Sequence, residues 1–563
     1  MILFFFIHKI FASYGAIDLG TQYIKVSIMD LDGNIKIVPN SQNKMMTPSA
    51  VAFKLDNYPN RHLTNIEALK VPIKVGDDAL RLLKKKPEYG SAFVPRLIGR
   101  KPSNNSNFNF PPFVNASEML ALLIKDIYLS PELQNVPGSV VAVPAYYTYD
   151  QRTDVVDAMW AAELGLYSVI DDNQAIATLY SIRFAKRFSE NPQSILFVDA
   201  GATSIKAYRG VFSMNSTTNP PTPLVNLTSY EWSESCGSEY FALKYSKSKN
   251  ISVKKARKQL NALTSLSRGE LETLFSDELT SLSQLVKRAT NGPIDHVQIF
   301  GGASRFSFIV DAIIQAAGGV ELRRDLPPND AIAIGSNYVL MNLNNISLFQ
   351  FPNLTRSSPY NLFVECNGVT EDYCYKSANC SEAALLENTR CEVFNFFTEK
   401  EEVPEGCNEL IGRYDLLNIS KFPRGANAGG FLVFNPPKPI ITAALWCRNE
   451  DLYCLSIIGK ASGSSELKRS KQQQFVSTII KAQSEIQEVS VKKDKIDDLT
   501  TRIEKFIENS EDVKVDEAKD DAIRKIEYAR DIRNKSNSIK KLAVVEEELK
   551  MIARYIGVPI NEV

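Results

Sequence analysis

An apolar strand that ends in Asp-x-Gly and turns straight back through hydroxyl and amide side chains occurs twice in this 563-residue chain, and that pair limits the possible folds more than any other feature. The first copy is Ala16-Ile17-Asp18-Leu19-Gly20-Thr21-Gln22-Tyr23-Ile24-Lys25-Val26, and the second is Ile195-Leu196-Phe197-Val198-Asp199-Ala200-Gly201-Ala202-Thr203-Ser204. Such a hairpin aims backbone N–H groups and hydroxyls at an anion, and its glycine allows an approach that a Cβ would block. One copy alone is an ordinary turn. Two copies facing each other clamp a polyphosphate, with Asp18 and Asp199 placed to hold a hydrated Mg2+ through water. A third element, Val297 to Arg305, is an apolar strand running into Gly301-Gly302-Ala303 before a helix, which suits a flat adenosine lying on bare backbone beside Arg305. Neither a G-x-x-x-x-G-K-[ST] P-loop nor a Rossmann fingerprint occurs, so the phosphate grip is of another kind.

Composition excludes several classes of protein. The 65 basic and 65 acidic side chains cancel, leaving no net field to recruit nucleic acid or an anionic membrane. With only His8, His62 and His296 present, any catalysis rests on carboxylates, hydroxyls, backbone amides and a bound ion. No internal stretch reaches about 18 uninterrupted apolar residues, so no transmembrane span is expected. Residues 1–13 read as a secretory signal ending at Ala12-Ser13, although His8-Lys9 and the missing basic n-region also fit an extended first strand.

Four regions follow. Residues 14–342 alternate β-branched runs with helical patterns, as an α/β nucleotide-binding domain does, and 343–359 form a polar, turn-rich linker. Residues 360–461 hold seven of the eight cysteines among strand-like runs, which predicts a small disulfide-braced β domain in an oxidising compartment. Ten Asn-x-Ser/Thr sequons agree with that compartment. Residues 462–563 have helical spacing, as in Ile496, Leu499, Ile503 and Phe506, and their apolar stripe is expected to pack between helices. No internal repeat is evident.

Between the hairpins lie Val143-Pro144-Ala145-Tyr146-Tyr147, Asp150-Gln151-Arg152 and Val169-Ile170-Asp171-Asp172-Asn173-Gln174-Ala175, and after them comes Asn329-Asp330-Ala331-Ile332-Ala333-Ile334-Gly335. With Thr47-Pro48-Ser49 and Arg96-Leu97-Ile98-Gly99-Arg100, this series resembles the heat shock protein 70 superfamily over residues 16 to about 340. The resemblance implies a two-lobed actin-like ATPase domain, then a peptide-binding β-sandwich and a helical domain. It implies that Gly20, Thr21, Gln22, Gly201, Ala202, Thr203 and Ser204 hold phosphates of ATP, and that Ser267, Gly301, Gly302, Ala303, Arg305 and Asn329 hold the nucleoside. Asp18, Asp172 and Asp199 fall at the family's catalytic positions.

The departures from that pattern indicate the branch. Pro95 stands where hydrolytic members carry a lysine that helps place the attacking water, and Asp172 where they carry a glutamate. Thr203 replaces a glycine, Lys206 an aspartate near the phosphates, and Leu260 and Leu263 the polar pair that grips adenosine. Phosphoryl transfer depends on positioning, so binding is expected to outlast turnover. This resembles the large Hsp110-like branch of the endoplasmic reticulum lumen, the 170-kDa glucose-regulated type. That implies a nucleotide exchange factor for a lumenal heat shock protein 70 such as BiP, and a holdase for unfolded polypeptides. The alternative is an ATP-hydrolysing foldase. A nucleotide-insensitive holdase and a metabolic kinase fit the series less well, and the end Ile560-Asn561-Glu562-Val563 is not a KDEL-type signal.

Overall fold

The computed structural model describes the chain apart from residues 1–13, 31–32, 56–60, 69–70, 102–109, 263–267, 346–347, 367, 379–383, 386–392, 417–427, 434–439, 448–453, 462–463, 510–512 and 560–563. The expected signal segment, Ser267 and Leu263, and Cys380 and Cys391 lie outside the described residues. The chain divides into two compact units, one of Met1–Ala52, Pro59–His62 and Lys74–Gln473, the other of Phe53–Tyr58, Leu63–Ile73 and Gln474–Val563.

Two sheets dominate the first unit. One contains β1 (Tyr14–Leu19), β2 (Tyr23–Met29), β3 (Ile35–Val38), β4 (Ser139–Val143) and β5 (Leu166–Asp171) in the order β3-β2-β1-β4-β5. The other contains β6 (Gln193–Ala200), β7 (Ile205–Asn215), β8 (Thr222–Ser233), β9 (His296–Phe300) and β10 (Leu322–Arg323) in the order β8-β7-β6-β9-β10. Both follow one plan. An antiparallel hairpin opens the sheet, and two parallel strands extend it beyond the hairpin's first strand. The duplication is therefore topological, carried by periodicity and turns rather than by repeated sequence. The central strands β1, β4 and β6 read as continuous apolar runs because both faces are covered.

Helices complete each sheet's core. Helix α1 (Asp172–Phe184) leaves β5, and α2 (Ala331–Leu343) lays Val339, Leu340 and Met341 against Tyr14, Ala16, Val140 and Ala142. The two helices cross at Gly335, where an added Cβ would sit 2.1 Å from the Ala175 carbonyl oxygen. The second sheet is covered by a cluster that includes Phe241, Phe275, Phe308 and Ile313. Part of the expected linker has a regular role: β11 (Asn353–Arg356) pairs in parallel with β8 and ends that sheet.

Beyond it, eight antiparallel strands among the described residues between Leu362 and Ala461 form one sheet. Cys366 and Cys374 each take part in a disulfide, at opposite ends of one strand pair, and Cys236 and Cys407 are free thiols. In the second unit the C-terminal helices bury Ile496, Leu499 and Ile503 with Ile526, Leu542, Leu549 and Ile552. The apolar stripe is thus the core of that unit. No helix among the described residues is long and apolar enough to cross a membrane.

Candidate nucleotide-binding site

The β1–β2 and β6–β7 turns meet at their tips, where the Thr203 hydroxyl donates to the Thr21 hydroxyl at 2.7 Å. Glycine is needed at the first turn because a Cβ on Gly20 would lie 2.4 Å from the Tyr23 carbonyl oxygen, and at the second because one on Gly201 would lie 2.9 Å from that of Ser204. The first turn is held from behind by the Thr47-Pro48-Ser49 segment, with the Ser49 N–H donating to the Gln22 carbonyl at 3.0 Å and the Ser49 hydroxyl to the Thr21 carbonyl. The second rests on the start of the Ser238–Lys249 helix, where the Glu239 N–H donates to the Ala202 carbonyl at 2.8 Å. Thr203 and Ser204 are buried.

The third element joins them through Gly301. Its φ of 87° is left-handed, and a Cβ there would meet the Ala200 carbonyl oxygen at 2.4 Å and an Asp199 carboxylate oxygen at 2.5 Å. Gly302 differs: a Cβ would find nothing within 4 Å, and Gly302 and Arg305 are both exposed. Ala303 is buried, and the Asn329 carbonyl accepts from the Lys25 ammonium at 2.6 Å. So the two turns meet at Thr21 and Thr203, Gly301 lies against Ala200 and Asp199 beside the second turn, and the Asn329 carbonyl meets Lys25 of the first hairpin, while Gly302 and Arg305 are exposed.

The carboxylates carry partners that sequence reasoning had not paired. Asp18 lies directly opposite Lys25 in the β1–β2 register, and their charged ends are 2.5 Å apart. Asp199 lies directly opposite Lys206 in the β6–β7 register, again at 2.5 Å, and Lys206 also donates to Asp172 at 2.5 Å. Lys206, Asp172 and Asp199 are all buried. Burial pulls the Lys206 ammonium toward neutrality, but Asp172 and Asp199 outweigh it and hold its pKa well above the ordinary lysine value. Burial pushes the Asp172 carboxyl up to about 6, with Lys206 opposing the shift and Asp199 adding to it. At neutral pH the Lys206 ammonium and the Asp172 carboxylate are both charged. The spacing of seven residues from Asp to Lys was the available signal, but reading it requires the hairpin register.

Two further expectations have a structural counterpart. Pro95 is buried and carries no amine, and its carbonyl accepts from the Tyr147 hydroxyl at 3.0 Å. Leu260 is fully buried in the apolar cluster over the second sheet, so it presents no polar group to a nucleoside. At the end of β5, Asp171 accepts from Arg152 at 2.6 Å and from Arg356 of β11 at 2.7 Å. Tyr146 stacks on Trp232 with ring centroids 4.3 Å apart, and the Tyr360 hydroxyl donates to the Tyr146 carbonyl.

Twin hairpins that open two sheets of one plan and meet at their tips fit the class of ATPase folds built on paired α/β sheets. Within that class, a family model described as Hsp70 protein matches residues 15–67, 115–265 and 239–560, and the chain belongs to this family. It is 22% identical over 398 residues to hypoxia up-regulated protein 1 of Xenopus laevis, covering 57% of this chain and 59% of that one. The hypoxia up-regulated protein 1 of Gallus gallus is 24% identical over 404 residues, with 57% of this chain and 38% of the relative covered. A heat shock protein homolog of Lachancea kluyveri is 23% identical over 467 residues, covering 72% of this chain and 66% of the relative. The chain therefore spans 59% or less of the length of these two hypoxia up-regulated relatives.

The Hsp70 family binds ATP with Mg2+. Gly20, Gly201 and Gly301 are filled on their Cβ side by carbonyl oxygens of the chain itself, and Gly302 alone of these four has open space around it. The carboxylates fit a hydrated metal poorly, because Asp18 and Asp199 are each already in contact with an ammonium group. Among the described residues, no three His, Cys, Asp or Glu side chains are grouped to hold a metal ion directly.

Proposed function

We propose that this Hsp70-family chaperone binds ATP without efficiently hydrolysing it and acts as a nucleotide exchange factor for a lumenal, BiP-like heat shock protein 70, also holding unfolded polypeptides. One observation carries the reading: the glycine cradle is preserved while the hydrolytic groups are disabled. Pro95 supplies no amine, and Asp172 is tied to the Lys206 ammonium. A carboxylate whose oxygens are engaged by an internal cation and a backbone N–H is a poorer base and a poorer guide for water, so the bound nucleotide serves to fix a conformation. In that conformation the chain would engage the partner's nucleotide domain and weaken its hold on ADP.

Similarity to hypoxia up-regulated proteins and to a fungal heat shock protein homolog supports an Hsp110-like role. We place the chain in the endoplasmic reticulum lumen, on the apolar residues 1–13, the ten sequons and the clustered cysteines, of which Cys366 and Cys374 are disulfide-bonded. Disulfides would then brace the β domain. The test measures ADP release from a lumenal heat shock protein 70 with and without this chain plus ATP, alongside the chain's own phosphate release. Faster ADP release with negligible self-turnover is expected. Steady phosphate release without an effect on the partner would instead identify a foldase.

A further inference from the structure

The two hairpins share a pattern beyond their glycines. Asp18-Leu19-Gly20 is followed by Ile24-Lys25, and Asp199-Ala200-Gly201 by Ile205-Lys206, so both read D-x-G-x-x-x-I-K. In each, the same four positions lie between the last paired residues: Leu19 pairs with Ile24 and Ala200 with Ile205. That common register places a lysine directly across from each aspartate. Directly opposed residues on a hairpin are within side-chain reach, so the pairing is built into the backbone rather than left to a flexible surface chain.

We propose that Lys25 and Lys206 take the place of the divalent cation in this cleft, so that the chain binds ATP as the metal-free nucleotide. The inference rests on the nucleotide-binding reading and adds to it the ionic form of the ligand. The carboxylates of Asp18, Asp172 and Asp199 each touch an ammonium group, so every one of them already has a cationic partner from the chain itself. Without the lysines the cleft would repel a polyphosphate at full strength, and a dication would have to enter with it.

With the lysines present, a dication would have to displace or sit beside fixed positive charges. Lys206 cannot swing aside cheaply, since it is buried and held by two carboxylates at once, both at 2.5 Å. Lys25 is similarly held between Asp18 and the Asn329 carbonyl, with its side chain 13% exposed. An ammonium is a compact point charge with several donors and can meet phosphate oxygens without a metal between them.

The test is calorimetric titration of ATP into the intact nucleotide-free chain, once in EDTA and once in millimolar magnesium. ATP is expected to bind at least as tightly in EDTA, because magnesium sequesters the free nucleotide. Binding weaker in EDTA by more than about threefold overturns the inference and leaves the nucleotide reading standing. No heat in either buffer overturns both.

Lys206→Met should reverse the order, giving ATP affinity about tenfold tighter in magnesium than in EDTA. If that variant fails to fold, Lys25→Met provides the same comparison at a less buried site. An unreversed order in a folded variant overturns the role given to the lysines.

Discussion

Asp171→Asn tests whether the Arg152–Asp171–Arg356 cluster anchors β11 to the nucleotide domain. Asp171 is only 9% exposed at its side chain and accepts at 2.6 Å from one arginine and 2.7 Å from the other. Burial lowers the Arg356 pKa and Arg152 adds to that, while Asp171 opposes both, so the anion is what permits two cations here. Removing one partner of a buried ion pair costs about 3–5 kcal/mol, and the asparagine would leave both guanidiniums without their counter-ion. We therefore expect a loss of about 4 kcal/mol. Arg356→Met should cost only about 1–2 kcal/mol, because Asp171 keeps Arg152 and the mutual repulsion of the arginines is relieved. In the double variant one stranded cation is gone, so it should be more stable than Asp171→Asn alone. Urea unfolding of the intact chain, followed by tryptophan fluorescence, gives all three values, since Trp232 and Trp160 lie in this unit. A loss for Arg356→Met equal to or larger than that for Asp171→Asn, or simple additivity in the double variant, would refute the cluster's role.

Two other predictions separate binding from folding and fix the sign of a pH effect. Gly302→Asp should weaken ATP binding about tenfold with an unchanged melting temperature, because its Cβ meets nothing and the carboxylate adds charge beside phosphates. Gly301→Ala should lower both, since the added methyl collides with Ala200 and Asp199 at a left-handed φ; calorimetry and a melting curve on each variant check the contrast. Asp126 has its carboxyl pushed up to about 6 by burial and then by Asp78. Because this pKa lies above the unfolded value, its contribution to stability is present below about pH 4 and is lost as pH rises through about 6. Asp126→Asn should thus gain about 1–2 kcal/mol near pH 7.5, allowing for partial exposure, and almost nothing near pH 4. Equal gains at both pH values in urea titrations would contradict the assignment.

What the sequence displayed and what it concealed divide along a physical line. Gly20, Gly201 and Gly301 were legible because each answers a local steric demand, and a local demand leaves its mark at one position. The apolar runs of β1, β6 and β9 were legible for the same reason, since burial on both faces selects residue type one position at a time. The linker was only half legible. Asn353–Arg356 is polar because β11 is an edge strand with exposed alternate residues, so composition alone reads it as a turn-rich connector. The duplication of the two sheets was hidden, because a topology can recur while the side chains that fill its two cores differ, Tyr14 and Met29 in one and Phe241 and Phe275 in the other.

The lysines show why the charge logic of the site resisted a residue-by-residue reading. Lys206 by itself is one substitution for an acidic residue, and Lys25 is one cation on a strand. Their meaning depends on register, which pairs position i with the position at a fixed sum, and that sum is set by where the turn falls. Once the turn is fixed by glycine, the partner of each aspartate follows without further freedom. Opposing Lys25 to Asp18 and Lys206 to Asp199 therefore places an ammonium against the aspartate of both hairpins in the same way, and an arrangement present twice in one register is more readily explained by the ion the site admits than by the stability of either strand alone.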